Sequence, residues 1–168
     1  MFAETVQLAR DLGLRVAGPD DAIADAEAVF VGYQSNPFPW VRAAALFVMS
    51  SVQEGFGNVI LEAMACEVPV LAADCPSGPR EILAPGTPRD VRARAIERAE
   101  FGILAPAFAA DRLDDATRIG QWSQALHDVL ADADLRASYR EAGLRRIEDF
   151  RIDRIAALWE STLASLAE

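Results

Sequence analysis

Two short apolar runs constrain this chain more than any other feature: Leu-Phe-Val-Met at residues 46–49 and Val-Pro-Val-Leu-Ala at 68–72. Between them lie a turn, Gly55-Phe56-Gly57-Asn58, and a helix-forming segment that includes Glu62-Ala63-Met64-Ala65. Strands that alternate with helices imply a parallel sheet covered on both faces. The alternation continues outward. Val6, Leu8, Ala9 and Leu12 recur at helical spacing and Gly13 is a natural stop. Short strands are expected at 14–17, 28–31 and 101–104, with a short helix at 38–45 and the central helix at about 57–66. The expected fold class is α/β: a three-layer Rossmann-like parallel sheet in a single domain over residues 1–168.

Residues 85–99 read as a charged surface excursion in which Arg89, Arg92, Arg94 and Arg98 lie on a solvated helix face, and 107–117 read as loop. Three helices follow, at about 119–131, 134–148 and 152–167, so that 119–168 packs on the sheet as a helical C-terminus. Ile155, Leu158, Trp159, Thr162, Leu163 and Leu166 form an apolar stripe, and Trp159 is expected in the core of this domain.

Composition excludes several classes. The 168 residues are 52% hydrophobic and 25% charged, as in a soluble globular domain. The net charge of −10 argues against nucleic acid, whose phosphates need clustered Lys and Arg. No apolar run approaches the roughly 20 residues that span a bilayer. Cys66 and Cys75 make no disulfide framework, so a reducing cytoplasm is the expected compartment.

The chemistry concentrates around the central turn. Glu54 stands at the carboxyl end of a strand, followed by Gly55 and Gly57 and a helix start. Glycines let backbone approach a ligand, and a helix N-terminus offers free N–H groups to an anion. Carboxylates at Glu54 and Glu62 suit the hydroxyls of a polyol. Glu62 lies in an apolar helix expected to be largely buried, where a carboxylate needs a partner. Asn58 is expected as the N-cap. Gly55 and Gly57 could open a dinucleotide fingerprint, but Ile60 occupies the third glycine position and excludes it. Ser77 and Gly78 sit in the next strand-to-helix turn, at the same sheet edge, and Gln34 and Asn36 follow an earlier strand; these are supporting candidates. His127, the only histidine, reads as a surface residue, and no cluster suggests a metal.

The window resembles the glycosyl transferases group 1, retaining nucleotide-sugar enzymes of the two-domain GT-B fold. Their E-x7-E motif spans Glu54 to Glu62 here. The resemblance extends to Phe30-Val31-Gly32-Tyr33-Gln34-Ser35-Asn36-Pro37 upstream, and to Asp74-Cys75-Pro76-Ser77-Gly78-Pro79-Arg80-Glu81 and Phe101-Gly102-Ile103-Leu104 downstream. It implies that Glu54 is the catalytic candidate contacting the donor sugar, that Glu62 binds the ribose, and that Gly55, Phe56, Gly57 and Asn58 present N–H groups to the diphosphate. It implies no cofactor or metal beyond the nucleotide-sugar donor, and a role in polysaccharide or glycolipid synthesis.

It further implies that residue 1 falls partway into a donor-binding C-terminal domain. The first strand, a glycine-rich turn, a phosphate-contacting Arg or Lys and the N-terminal acceptor domain are then expected elsewhere, in missing sequence or a partner chain. On that reading the chain alone is inactive, and an open sheet edge invites pairing with a second copy. In relatives the last helix crosses to the N-terminal domain, with Trp159 the candidate contact. A nucleotide-sugar 2-epimerase and a non-catalytic nucleotide-sugar-binding module are the competing readings. The family has glycine after Ala65-Cys66, where the chain turns left-handed; Glu67 stands here, at a cost of roughly 1 kcal/mol.

Overall fold

The structure, a computed structural model, describes residues 2–109, 111–112 and 114–166. Two compact units are present, Met1–Pro37 and Phe38–Glu168. In the first, helix α1 (Phe2–Asp11) buries Ala9 and ends where Gly13 adopts φ 81°. Strands β1 (Val16–Ala17) and β2 (Ala28–Val29) pair in parallel with each other.

The second unit opens with α2 (Phe38–Arg42) and strand β3 (Phe47–Met49). Helix α3 (Asn58–Ala65), strand β4 (Val70–Ala73) and helix α4 (Pro79–Leu83) follow. Next come β5 (Glu97–Arg98), β6 (Ile103–Ala105) and the helices α5 (Ala116–Ala131), α6 (Ala133–Ile147) and α7 (Ile152–Ser165). The sheet order is β3-β4-β6-β5. β3, β4 and β6 run parallel, and β5 pairs antiparallel to β6 at the edge.

All four residues of β4 are buried, and strand alternation divides them between two cores. Val70 and Ala72 pack with Ile60 and Met64 of α3 and with Ile82 and Leu83 of α4. Leu71 and Ala73 face Trp122, Ala125 and Val129 of α5 and Tyr139 of α6. The expected α/β architecture, with helices on both faces of a sheet, is what the unit contains.

Helix α3 ends in a pair of reverse hydrogen bonds, Val68 N–H to the Ala63 carbonyl (3.0 Å) and Glu67 N–H to the Met64 carbonyl (2.9 Å). Glu67 takes φ 62° to allow them, so the left-handed turn expected after Cys66 is present without its glycine. Its ion pair with Arg42 (3.7 Å) is solvent-exposed and adds little.

Residues 85–99 form the charged surface excursion expected of them, with Arg89, Arg92, Arg94 and Arg98 all exposed, but they lack the expected helix face. They form no helix, and Glu97 and Arg98 form β5. A buried charge network pins this segment. Arg80 is 3% exposed and donates to Asp74, itself 1% exposed, through Nε (3.1 and 3.2 Å) and Nη2 (2.6 Å). The same guanidinium reaches Glu97 (2.8 and 3.1 Å) and Thr87 Oγ1 (3.0 Å). The Ala93 N–H donates to Asp74 Oδ2 (2.6 Å). The Glu97 hydrogen bonds hold the Arg80 pKa above its ordinary value despite burial.

Helix α7 also departs from expectation. None of its residues is buried, and Leu158, Trp159 and Leu163 are each about 60% exposed (62%, 63% and 59%). The sheet is already covered by α3 to α6, so Trp159 does not enter the core of this unit.

Removing Arg80 leaves Asp74 buried and unpaired. Arg80→Met is expected to lose about 3–5 kcal/mol of unfolding free energy. Urea denaturation of the purified variant measures this, and a loss under about 1 kcal/mol would show that the network does not anchor the fold.

Candidate functional site

The carboxyl ends of β3, β4 and β6 carry the candidate site. β3 leads into the turn Glu54-Gly55-Phe56-Gly57, which closes because Gly57 adopts φ 81° and ψ 47°. Gly57, not Asn58, is the N-cap of α3, and no side chain caps the helix. Asn58 is instead the first helical residue and is exposed. The Ile60 N–H donates to the Gly57 carbonyl (2.9 Å), and the N–H groups of Asn58 and Val59 are left for an outside acceptor.

Glu54 is half-buried and Glu62 is exposed. The expectation that the helix buries Glu62 fails: Ile60, Ala63 and Met64 face the core, while Asn58 and Glu62, four residues apart, share the solvent face. Among the described residues neither Glu54 nor Glu62 has an ion pair or a side-chain hydrogen bond. Both carboxylates are open acceptors.

The structure brings the Glu54–Gly57 turn against the next strand-to-helix turn. Gly78 has φ 87°, and a Cβ there would lie 1.8 Å from the Phe56 carbonyl oxygen. The neighbouring Ser77, also exposed, takes φ 67°, strained for a residue with a side chain. The Phe56 ring packs on Phe150 of the short 3-10 segment Glu148–Phe150, with centroids 5.8 Å apart. Arg146 holds that corner: it stacks on Phe150 (4.7 Å) and donates to the Ile82 and Glu81 carbonyls of α4 (2.9 and 2.7 Å). The turn is therefore clamped on its backbone side by Gly78 and on its ring side by Phe150.

Glu54 through Glu62, with Ser77 and Gly78, thus belong to one unit. Gln34 and Asn36 belong to the first unit, where the Gln34 amide donates to the Val31 carbonyl (2.7 Å). His127 is 78% exposed beside Asp128, as expected of a surface residue. Among the described residues no group of His, Cys, Asp and Glu could hold a metal ion, and no helix is long and apolar enough to cross a membrane.

Two features escaped sequence reasoning. Cys75 is 1% exposed, and burial raises its thiol pKa; Glu54 and Asp74 raise it further and Arg92 pulls it down. The second is the Asp74–Arg80–Glu97 network. Its one signal in the sequence is an aspartate placed directly after an uninterrupted buried strand.

The family profile for glycosyl transferases group 1 matches residues 1–116. The chain belongs to the group 1 glycosyltransferases. An uncharacterised glycosyltransferase of Methanocaldococcus jannaschii is 32% identical over 77% of this chain and 34% of its own length. The N-acetylgalactosamine-N,N'-diacetylbacillosaminyl-diphospho-undecaprenol 4-alpha-N-acetylgalactosaminyltransferase of Campylobacter jejuni is 27% identical over 77% of the chain and 30% of its own. The chain spans about a third of the length of these curated relatives. The fold is that of solved C-terminal domains of such enzymes. HepE of Anabaena, solved in complex with UDP, superposes with a TM-score of 0.68 at 21% identity, over 97% of this chain and 36% of that one.

Two outcomes test this geometry. Gly78→Ala forces a side chain into the Phe56 carbonyl and is expected to destabilise by about 2–5 kcal/mol in urea. Alkylation at mildly alkaline pH, read by mass spectrometry, is expected to modify the half-buried Cys66 and to spare Cys75 until denaturant is added. Rapid labelling of native Cys75 would contradict its burial beside Glu54.

Proposed function

We propose that this chain is the donor-binding domain of a glycosyltransferase that transfers a sugar from a nucleotide diphosphate sugar with retention of configuration. The observation that carries this reading is the pair Glu54 and Glu62, both unpartnered, on the turn and helix that leave β3. Glu54, half-buried at the turn, accepts hydrogen bonds from the donor sugar's hydroxyls. Glu62, on the open face of α3, accepts them from the ribose. The N–H groups around Gly57 and Asn58 face the diphosphate, with Ser77 and Gly78 in the adjoining turn. As the glycosidic bond breaks, charge builds on the leaving diphosphate. Fixed N–H dipoles aimed at it stabilise that charge without reorganising, and the two carboxylates orient the sugar. Donor binding needs no resident metal on this reading, and the compartment is the cytoplasm.

The acceptor side of the cleft is supplied by a second domain or a partner chain. Two features support this. β3, three residues long, is an edge strand of its four-stranded sheet, and edge strands pair with added strands. The apolar stripe of α7, with a groove of about 200 Å³ lined by Ile155, Leu158, Trp159 and Thr162, is uncovered and suits a partner domain. The Campylobacter relative, named for a diphospho-undecaprenol acceptor, supports glycolipid assembly as the setting.

Calorimetric titration with UDP, GDP, ADP and their sugar conjugates tests the reading. One nucleotide is expected to bind, with at least about tenfold weaker affinity in Glu62→Ala. Glu54→Gln is expected to weaken the sugar conjugate and spare the bare nucleotide, and EDTA is expected to change neither. Equal binding by wild type and Glu62→Ala would remove the ribose assignment, and silence at millimolar ligand would remove the donor site.

A further inference from the structure

A cavity of about 390 Å³ opens at the carboxyl ends of β4 and β6, and its lining includes Arg92, Arg94 and Arg118. None of the residues from Glu54 to Glu62 lines it. In a chain of net charge −10, three guanidinium groups around one cavity call for an explanation. The single carboxylate in the lining, Asp74, does not neutralise them, because it is saturated by Arg80 and the Ala93 N–H.

Arg92 and Arg118 are held in place, and among the described residues neither Arg92 nor Arg94 is paired with a carboxylate. Arg92 donates to the carbonyls of Arg89 and Val91 (2.6 Å each), contacts that fix the side chain and leave its charge intact. The Arg94 side chain has no hydrogen bond or ion pair among the described residues. Arg118 donates to the Ala107 carbonyl and lies 3.4 Å from Asp115, so it is positioned and partly balanced. Val52, Pro106 and Phe108 supply apolar walls, which lower the local dielectric and strengthen an anion's attraction to the ring of charge. Guanidinium forks match phosphate oxygens, and the volume is in the range of ligand pockets.

We propose that this cavity is a phosphate site that takes the phosphate or diphosphate group of a substrate, with Arg92, Arg94 and Arg118 as its ligands. It lies at the sheet edge where ligands of open α/β sheets bind. It also lies beside the Glu54 turn, since Val52, two residues before Glu54, lines it. The phosphate comes either from the sugar donor or from a second, phosphorylated substrate. The site stands on the arginine geometry and does not depend on the roles given to Glu54 and Glu62.

The experiment is titration of the 168-residue chain with inorganic pyrophosphate, followed by calorimetry and phosphorus NMR. The double variant Arg92→Gln/Arg94→Gln is the comparison; both side chains are exposed, and its thermal unfolding midpoint checks that it folds. Saturable binding near one pyrophosphate per chain is expected, weakened at least about tenfold in the double variant and unchanged in Glu62→Ala. Equal affinity in the double variant, or no saturation at millimolar pyrophosphate, overturns the proposal. UDP added to the loaded protein then assigns the source: displacement identifies the donor's diphosphate, and simultaneous binding identifies the second substrate's phosphate. Either result keeps the phosphate site. The arginine variant is read with pyrophosphate and Glu62→Ala with nucleotide, so failure of this site and failure of the donor reading are told apart.

Discussion

The buried Arg80 guanidinium holds the working edge of this protein together. Asp74 sits where β4 leaves the sheet and Glu97 sits on β5, seventeen residues beyond Arg80, and one side chain bridges both. Burying the two charges of Arg80 and Asp74 is expensive unless each finds partners, and here the half-exposed Glu97, Thr87 and the Ala93 N–H complete the set. By holding positions 87, 93 and 97, the network lays residues 85–99 across the ends of the parallel strands. Arg92 and Arg94 are thereby carried to the rim of the cavity, and β5 is placed along β6 in the antiparallel sense.

A second constraint shapes the carboxylate side of the same edge. The Phe56 backbone and Gly78 approach so closely that only a residue without a Cβ fits. The Phe56 ring is gripped by Phe150, which Arg146 ties to the end of α4. Two loops that would be mobile alone are thus locked to each other and to the C-terminal helices. A rigid turn keeps its N–H groups aimed in one direction, which is what a site that works through fixed dipoles requires. The left-handed strain at Ser77 belongs to the same arrangement.

The surface completes this description. Sheet and helices α3 to α6 satisfy one another, while α7 leaves Leu158, Trp159 and Leu163 in solvent. The second domain or partner chain proposed above would cover this stripe. The Glu54 turn and the arginine cavity lie on adjoining parts of the sheet edge, since Val52 lines the cavity.

The α/β class, the central strand-turn-helix-strand unit and the candidate carboxylates were legible in the sequence. They rest on local rules: apolar runs, glycine punctuation and the spacing of Glu54 and Glu62. The three C-terminal helices were legible for the same reason, whereas the left-handed turn at Glu67 was legible only through the glycine that the family carries there. Local rules do not say which face of a helix meets a partner. Glu62 therefore read as buried although it faces solvent, and Trp159 read as core although α7 lies outside the packing. The pairing of Arg80 with Glu97, the contact of Phe56 with Gly78 and the gathering of Arg92, Arg94 and Arg118 join residues distant in the chain. Composition placed those arginines on a solvated surface because it counts charges without locating them. Only the tertiary structure could decide that a buried ion network would bend their segment over the strand ends, since that choice depends on desolvation and on partners brought together by folding.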